Sequence, residues 1–155
     1  MFKWGAPKIG VKSAGSMTGA QSVDGAGVAF DVTRPARAIR GAEAEDSALR
    51  FLQRQGLRLL ERNYRVAAGP NARAGELDLI LQDRDGTLVF VEVRARAGLT
   101  HGGAAASVTP KKQRSLIYAA SHYLLRHATP PPCRFDVIAI DGEQVEWLVA
   151  AFDTE

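Results

Sequence analysis

Hydrophobic and polar positions change rhythm several times along the chain, and those changes outline seven elements. From Ala42 to Gln55 the period is helical, with Ala48, Leu49 and Leu52 on one stripe and Gly56 as the stop. Leu57 to Val66 reads as a strand, and Ala67–Ala74, holding Gly69, Pro70 and Asn71, reads as a loop. Gly75–Gln82 and Thr87–Arg96 are two strands around a short turn, followed by a Gly/Ala-rich loop from Ala97 to Ser107. Thr109 and Pro110 open a second helix as N-cap and first-turn proline, and its period runs to about His127. Beyond Pro130, Pro131 and Pro132, two more strands, Arg134–Ile140 and Gln144–Val149, pair across Asp141-Gly142. The order α-β-β-β-α-β-β over residues 41–155 predicts a single α/β domain with a mixed central sheet flanked by helices. Residues 1–40 carry no sustained period and are rich in Gly, Ala and Ser, so a disordered or poorly ordered N-terminal extension is expected there.

Register in the central hairpin follows from its turn. Arg84-Asp85-Gly86 suits a three-residue loop closed by Gly86 in the left-handed conformation, which pairs Asp83 with Thr87. Leu81 then faces Val89, Leu79 faces Val91 and Leu77 faces Val93, so one side is wholly apolar. A slip of one residue would mix apolar and polar sets, so burial selects this register. On the other side Ile80 faces Phe90, Asp78 faces Glu92 and Glu76 faces Arg94. Directly opposed side chains have Cβ atoms about 4.5–5.5 Å apart, where like charges destabilise. Two readings of the Asp78–Glu92 pair stand at this point. One is a divalent-cation site, since Mg²⁺ takes hard oxygen ligands. The other is a solvated sheet face neutralised by neighbours such as Arg94.

A third acid bears on that choice. Glu45 precedes Ala48 by three residues, Leu49 by four and Leu52 by seven, which puts it on the stripe facing the sheet. An inward carboxylate is costly unless it is paired, hydrogen-bonded or beside a metal. In the second helix, Lys111 and Lys112 occupy the first turn, where free N–H groups favour phosphate. Gln113 precedes Leu116 and Ile117 by three and four residues and is expected to point toward the sheet, near the acids. Asp136 is expected to satisfy Arg134 or a backbone group instead of joining the acidic set.

Composition narrows the class. The chain has 155 residues, enough for one domain with a real core; 46% are apolar and 24% charged, ordinary proportions for a globular protein. No apolar run approaches membrane-spanning length, and the first forty residues lack the compact apolar segment of a secretory signal. The single cysteine, Cys133, cannot form an internal disulfide, so a buried thiol in a cytoplasmic protein is expected. Net charge is +3, but the excess is in residues 1–40, which hold six basic and two acidic side chains. The remainder is close to neutral, so composition alone does not assign a nucleic-acid surface.

The motifs carry a resemblance. Gly75-Glu76-Leu77-Asp78-Leu79-Ile80, then Val89-Phe90-Val91-Glu92-Val93-Arg94-Ala95-Arg96, resemble the signature of the bacterial YraN family. Lys112-Gln113 and Arg134-Phe135-Asp136-Val137 are similar to its later segments, and the likeness covers about residues 41–150. That family in turn resembles archaeal Holliday-junction resolvases and the PD-(D/E)XK nuclease fold, implying a restriction-endonuclease-like core. The resemblance implies a DNA-directed nuclease holding Mg²⁺ or Mn²⁺ on Asp78 and Glu92, with Glu45 completing the ligands. Asp78, Glu92 and Arg94 would be the catalytic residues, supported from behind by Glu76 and Gln113. Arg96, Lys111 and Lys112 would contact nucleic acid, and the likeness to junction resolvases implies a homodimer. Arg94 stands where the nuclease pattern has Lys. Arginine stays protonated, so it suits a phosphate clamp better than a general base. A nucleic-acid-binding module with weak or lost catalysis is therefore the alternative, and a protein-interaction domain on the same scaffold a third.

Overall fold

The computed structural model describes residues 10–14, 36–67, 75–95 and 108–154, and for 10–14 and 36–39 the backbone alone. The elements in chain order are β1 (Gly10–Ala14), α1 (Ala36–Arg54), β2 (Arg58–Val66), β3 (Gly75–Gln82), β4 (Leu88–Ala95), α2 (Pro110–Leu124), β5 (Cys133–Asp141) and β6 (Gln144–Phe152). From α1 onward this is the α-β-β-β-α-β-β order expected from the sequence, in one α/β domain. Two features fall inside the segment read as an extension. The strand β1 pairs antiparallel with β6, and α1 begins at Ala36, ahead of Ala42.

The sheet runs β1-β6-β5-β4-β3-β2. It is mixed because β4 and β5 are parallel neighbours joined through α2, whereas the other pairs are antiparallel. Val89 and Val91 of β4 share a buried cluster with Ala44, Ala48, Phe51 and Leu52 of α1. Leu88 and Phe90 belong instead to a cluster with Leu116, Ala119, Ala120, Tyr123 and Leu124 of α2. Successive β4 side chains alternate between clusters, so the helices cover opposite faces of the sheet.

Local chemistry explains the element ends. At the close of α1, Gly56 N donates to Gln53 O and Leu57 N to Leu52 O, with Gly56 at φ 98°. This is a Schellman end, where the left-handed position suits glycine. Thr109 caps α2, its hydroxyl accepting from Lys112 N at 3.3 Å. After Leu124 the chain tightens into i→i−3 bonds through His127, matching the extent of the sequence period. The β5–β6 hairpin pairs Asp141 with Gln144, so its two-residue turn is Gly142-Glu143, one place later than the sequence reading. Gly142 at φ 57° occupies the first turn position, where a II′ turn calls for glycine.

In the β3–β4 hairpin, Asp83 N donates to Thr87 O, and Gly86 has φ 89°. The ladder pairs Leu79 with Val91, Ile80 with Phe90 and Leu81 with Val89, the register derived from burial. Past Leu79 the expected apolar side breaks. Leu77 joins the α2-side cluster, whereas Leu79 and Leu81 join the α1-side one, so β3 switches faces at Asp78. Strand β2 switches opposite it: Arg62 pairs with Leu79 and Tyr64 with Leu77, leaving Asn63 across from Asp78 at φ 51°. Asparagine tolerates that left-handed backbone better than most side chains.

Candidate functional site

Strands β3 and β4 part where the face switch occurs, and the candidate acids gather there. Asp78 Oδ2 accepts a hydrogen bond from Val93 N at 2.7 Å, standing in for a backbone carbonyl of the ladder. Glu92 follows Leu88 and Phe90 on the α2 face and is only 3% exposed. Two cations flank it: Arg94 Nε is 3.3 Å from Oε1, and Lys112 Nζ, from α2, is 3.0 Å from Oε2. These are ion-pair contacts; Glu92 Oε2 and Arg94 Nε are both buried without a well-directed hydrogen bond.

Electrostatics show that the acids sense one another. Burial, then the charge of Asp78, pushes the Glu92 carboxyl up to about 7, against the pull of Lys112 and Arg94. Burial also raises Asp78, opposed chiefly by its bond from Val93 N, with Glu76 adding to the rise. Glu45 is raised by burial and by Asp78, while Asn63 and Arg62 lower it. The Asp78–Glu92 pairing read from the sequence therefore brings two carboxylates into one partly desolvated place, although no direct ladder pair joins them.

Several expected roles change. Glu45 does lie half-buried at the helix–sheet junction, but its carboxylate turns toward β2, 3.8 Å from Arg62 Nη2. Among the described residues no group of three or more His, Cys, Asp or Glu side chains is arranged to hold a metal ion. The physical reason is the two-faced geometry: Glu45 approaches from α1, whereas Glu92 looks toward α2. Glu76 does not meet Arg94; its Oε1 takes Arg65 Nε at 2.8 Å, because the ladder beyond Leu79 has parted and β2 lies closer. Gln113 turns back to the residue just ahead of the α2 cap, donating to Val108 O at 3.2 Å. Lys111 is exposed, and Arg96 lies outside the described residues.

Lys112, read as a surface phosphate contact, instead reaches the acids. The sequence held the signal: Leu116 and Ala120 are buried at four and eight residues beyond it, so the packed stripe extrapolates one turn back to Lys112. Gly75 carries a second unread role. A Cβ there would lie 2.9 Å from both Ser115 O and Ala119 Cβ, so its lack of a side chain lets α2 dock on β3 beside the acids. Asp136 is as expected. It accepts from Arg134 Nε at 3.1 Å, Trp147 Nε1 at 3.0 Å and Ala150 N at 2.9 Å, which satisfies it as a structural acid. Cys133 is buried.

The donor set suits a small hard cation. Mg²⁺ is commonly held by one or two carboxylates, with waters and substrate phosphate completing six ligands. Asp78 and Glu92 supply hard oxygens, and a cation on Glu92 Oε2 would take the place that Lys112 Nζ holds at 3.0 Å.

Comparison with known proteins places the chain. Residues 44–140 match the model of the uncharacterised protein family UPF0102. The chain belongs to this family. Members of UPF0102 that resemble it include one from Methylibium petroleiphilum, 65% identical over 113 residues, covering 73% of this chain and 93% of the relative. One from Paracidovorax citrulli is 59% identical, covering 73% and 82%. One from Herminiimonas arsenicoxydans is 57% identical over 121 residues, covering 78% and 92%. The family is the YraN family of the sequence resemblance. No helix among the described residues is long and apolar enough to cross a membrane.

Proposed function

We propose that this protein is a Mg²⁺- or Mn²⁺-dependent hydrolase of phosphodiester bonds in DNA, with branched DNA as the preferred substrate class. The observation that carries the reading is the buried Asp78–Glu92 pair, flanked by Lys112 and Arg94. Two like charges at a desolvated strand junction are unfavourable for folding alone, and a divalent cation gives them a purpose. Asp78 and Glu92 would hold it, with Glu45 contributing negative potential from the α1 side. A divalent cation held there supplies an acidified water and positive charge against the scissile phosphate.

The chain's own groups do the rest. The bond from Val93 N holds Asp78 in one orientation, and Arg94 holds Glu92 while presenting a fixed cation to phosphate. Lys111, exposed in the first turn of α2, would face DNA backbone oxygens at the positive end of that helix. The reading extends to a homodimer and to a cytoplasmic setting, in keeping with the single buried Cys133. Arg94 supports a second reading, a DNA-binding module with weak or lost catalysis, because a guanidinium does not accept a proton.

The deciding assay is cleavage of linear, flap and four-way DNA in Mg²⁺ or Mn²⁺, with Asp78→Asn as control. The hydrolase reading expects metal-dependent product that the variant lacks. Binding of four-way DNA without product supports the module, and no binding even at low salt removes nucleic acid from both readings.

A further inference from the structure

Resting on the cation-site reading above, we infer that Lys112 is a built-in counter-ion of the acid pair, which a divalent cation must displace from Glu92. The geometry is specific. Lys112 Nζ lies 3.0 Å from Glu92 Oε2, the buried carboxylate oxygen that lacks a directed hydrogen bond. The ammonium therefore stands against the oxygen a metal would coordinate, held chiefly by charge.

The two flanking cations are not equivalent. Arg94 is two residues from Glu92 on the same strand and contacts the other oxygen, Oε1, so a cation on Oε2 does not have to displace it. Lys112 belongs to a separate element, on a flexible four-carbon stem; its side chain is 28% exposed against 35% for Arg94, so the two differ in anchorage and not in exposure. It can swing toward solvent while its backbone N–H remains bound to Thr109 Oγ1 at 3.3 Å. The cap holds the main chain, and the charged end is free to exchange partners. In the ion-free protein, Lys112 offsets the repulsion between Asp78 and Glu92. On ion binding it is released on the phosphate-facing side of α2, so it acts as a positioning residue that sets cation affinity.

Calorimetric titration of the full chain with Mn²⁺ tests this, comparing wild type, Lys112→Met, Lys112→Gln and the exposed neighbour Lys111→Met. Competition predicts that both Lys112 variants bind Mn²⁺ at least about tenfold tighter, equivalent to about 1.4 kcal/mol. Lys111→Met should stay within about twofold of wild type, because an exposed lysine is screened by solvent. A purely structural Lys112 would give weaker Mn²⁺ binding in its variants. Unchanged or weaker affinity in both Lys112 variants overturns the inference while leaving the cation site standing. An equal gain in Lys111→Met also overturns it, by pointing to diffuse charge. Absence of Mn²⁺ binding in every protein overturns the cation site and the inference together.

Discussion

Replacing Glu92 with Gln should stabilise the metal-free protein, and the gain should grow with pH. The sign follows from proton linkage. Burial and Asp78 raise the folded-state Glu92 carboxyl to about 7, from 4.5 for the free side chain. Below 4.5 both folded and unfolded chains carry the proton, and Glu92 adds no pH dependence. Between 4.5 and 7 the folded chain retains a proton that the unfolded chain has lost, so stability falls as pH rises. Above 7 both forms are ionised and the loss is complete. At about 1.36 kcal/mol per pH unit, that interval amounts to about 3 kcal/mol, with the attraction of Lys112 and Arg94 already included. Gln keeps the shape and removes the ionisation. In a domain of this size the difference corresponds to a Tm shift on the order of 10 °C. Thermal unfolding in EDTA at pH 5, 6, 7 and 8 measures it. Glu92→Gln should melt close to wild type at pH 5 and well above it at pH 8. A difference that is flat across this range, or a variant that melts lower at pH 8, would show that the two cations fully compensate the buried carboxylate.

Three further outcomes are expected. Mn²⁺ should raise the Tm of wild type and Asp78→Asn should abolish that rise, read by the same unfolding assay with and without the ion; an unchanged rise would remove Asp78 from the ligands. Arg94→Lys should increase DNA cleavage while leaving Mn²⁺ affinity within about twofold, and a Lys variant that binds metal but stays inactive would argue against Arg94 as the limit on catalysis. Gly75→Ala should cost about 1–3 kcal/mol in urea unfolding, because the new methyl would meet Ser115 O and Ala119 Cβ at 2.9 Å. A neutral Ala variant would mean that α2 shifts without penalty.

The parts of the site that could be read in advance are those governed by local rules. Turn chemistry at Arg84-Asp85-Gly86 fixed the β3–β4 register, and the α1 stripe brought Glu45 to the sheet. What could not be read depends on departures from regular geometry. Strand periodicity alternates faces without interruption, so it placed Leu77 with Leu79 and Glu76 opposite Arg94. The left-handed turn of Asn63 and the side-chain bond of Asp78 break that alternation, and both residues are tied elsewhere. Asn63 is a residue type that accepts such a backbone, a weak signal that gains meaning only when it pairs with a second irregular strand. The ion pair of Lys112 with Glu92 could not be read for a different reason. Charge suggested solvent, whereas the helical period placed its stem among apolar neighbours, and a long stem permits both. The strand β1 lay within a stretch of no clear period, and its partner β6 is far along the chain.

The bond from Val93 N to Asp78 would also bear on the ion selectivity of the proposed site. That bond commits Oδ2 to closing the sheet, so a two-oxygen grip by Asp78 would compete with the contact that joins β3 to β4. Larger cations such as Ca²⁺ favour two-oxygen carboxylate contacts in crowded, flexible shells of six to eight ligands. A carboxylate braced in this way favours a compact ion with few protein ligands and a retained shell of water. In the proposed cation site, the rigidity of this one strand junction would act as a filter on ionic radius.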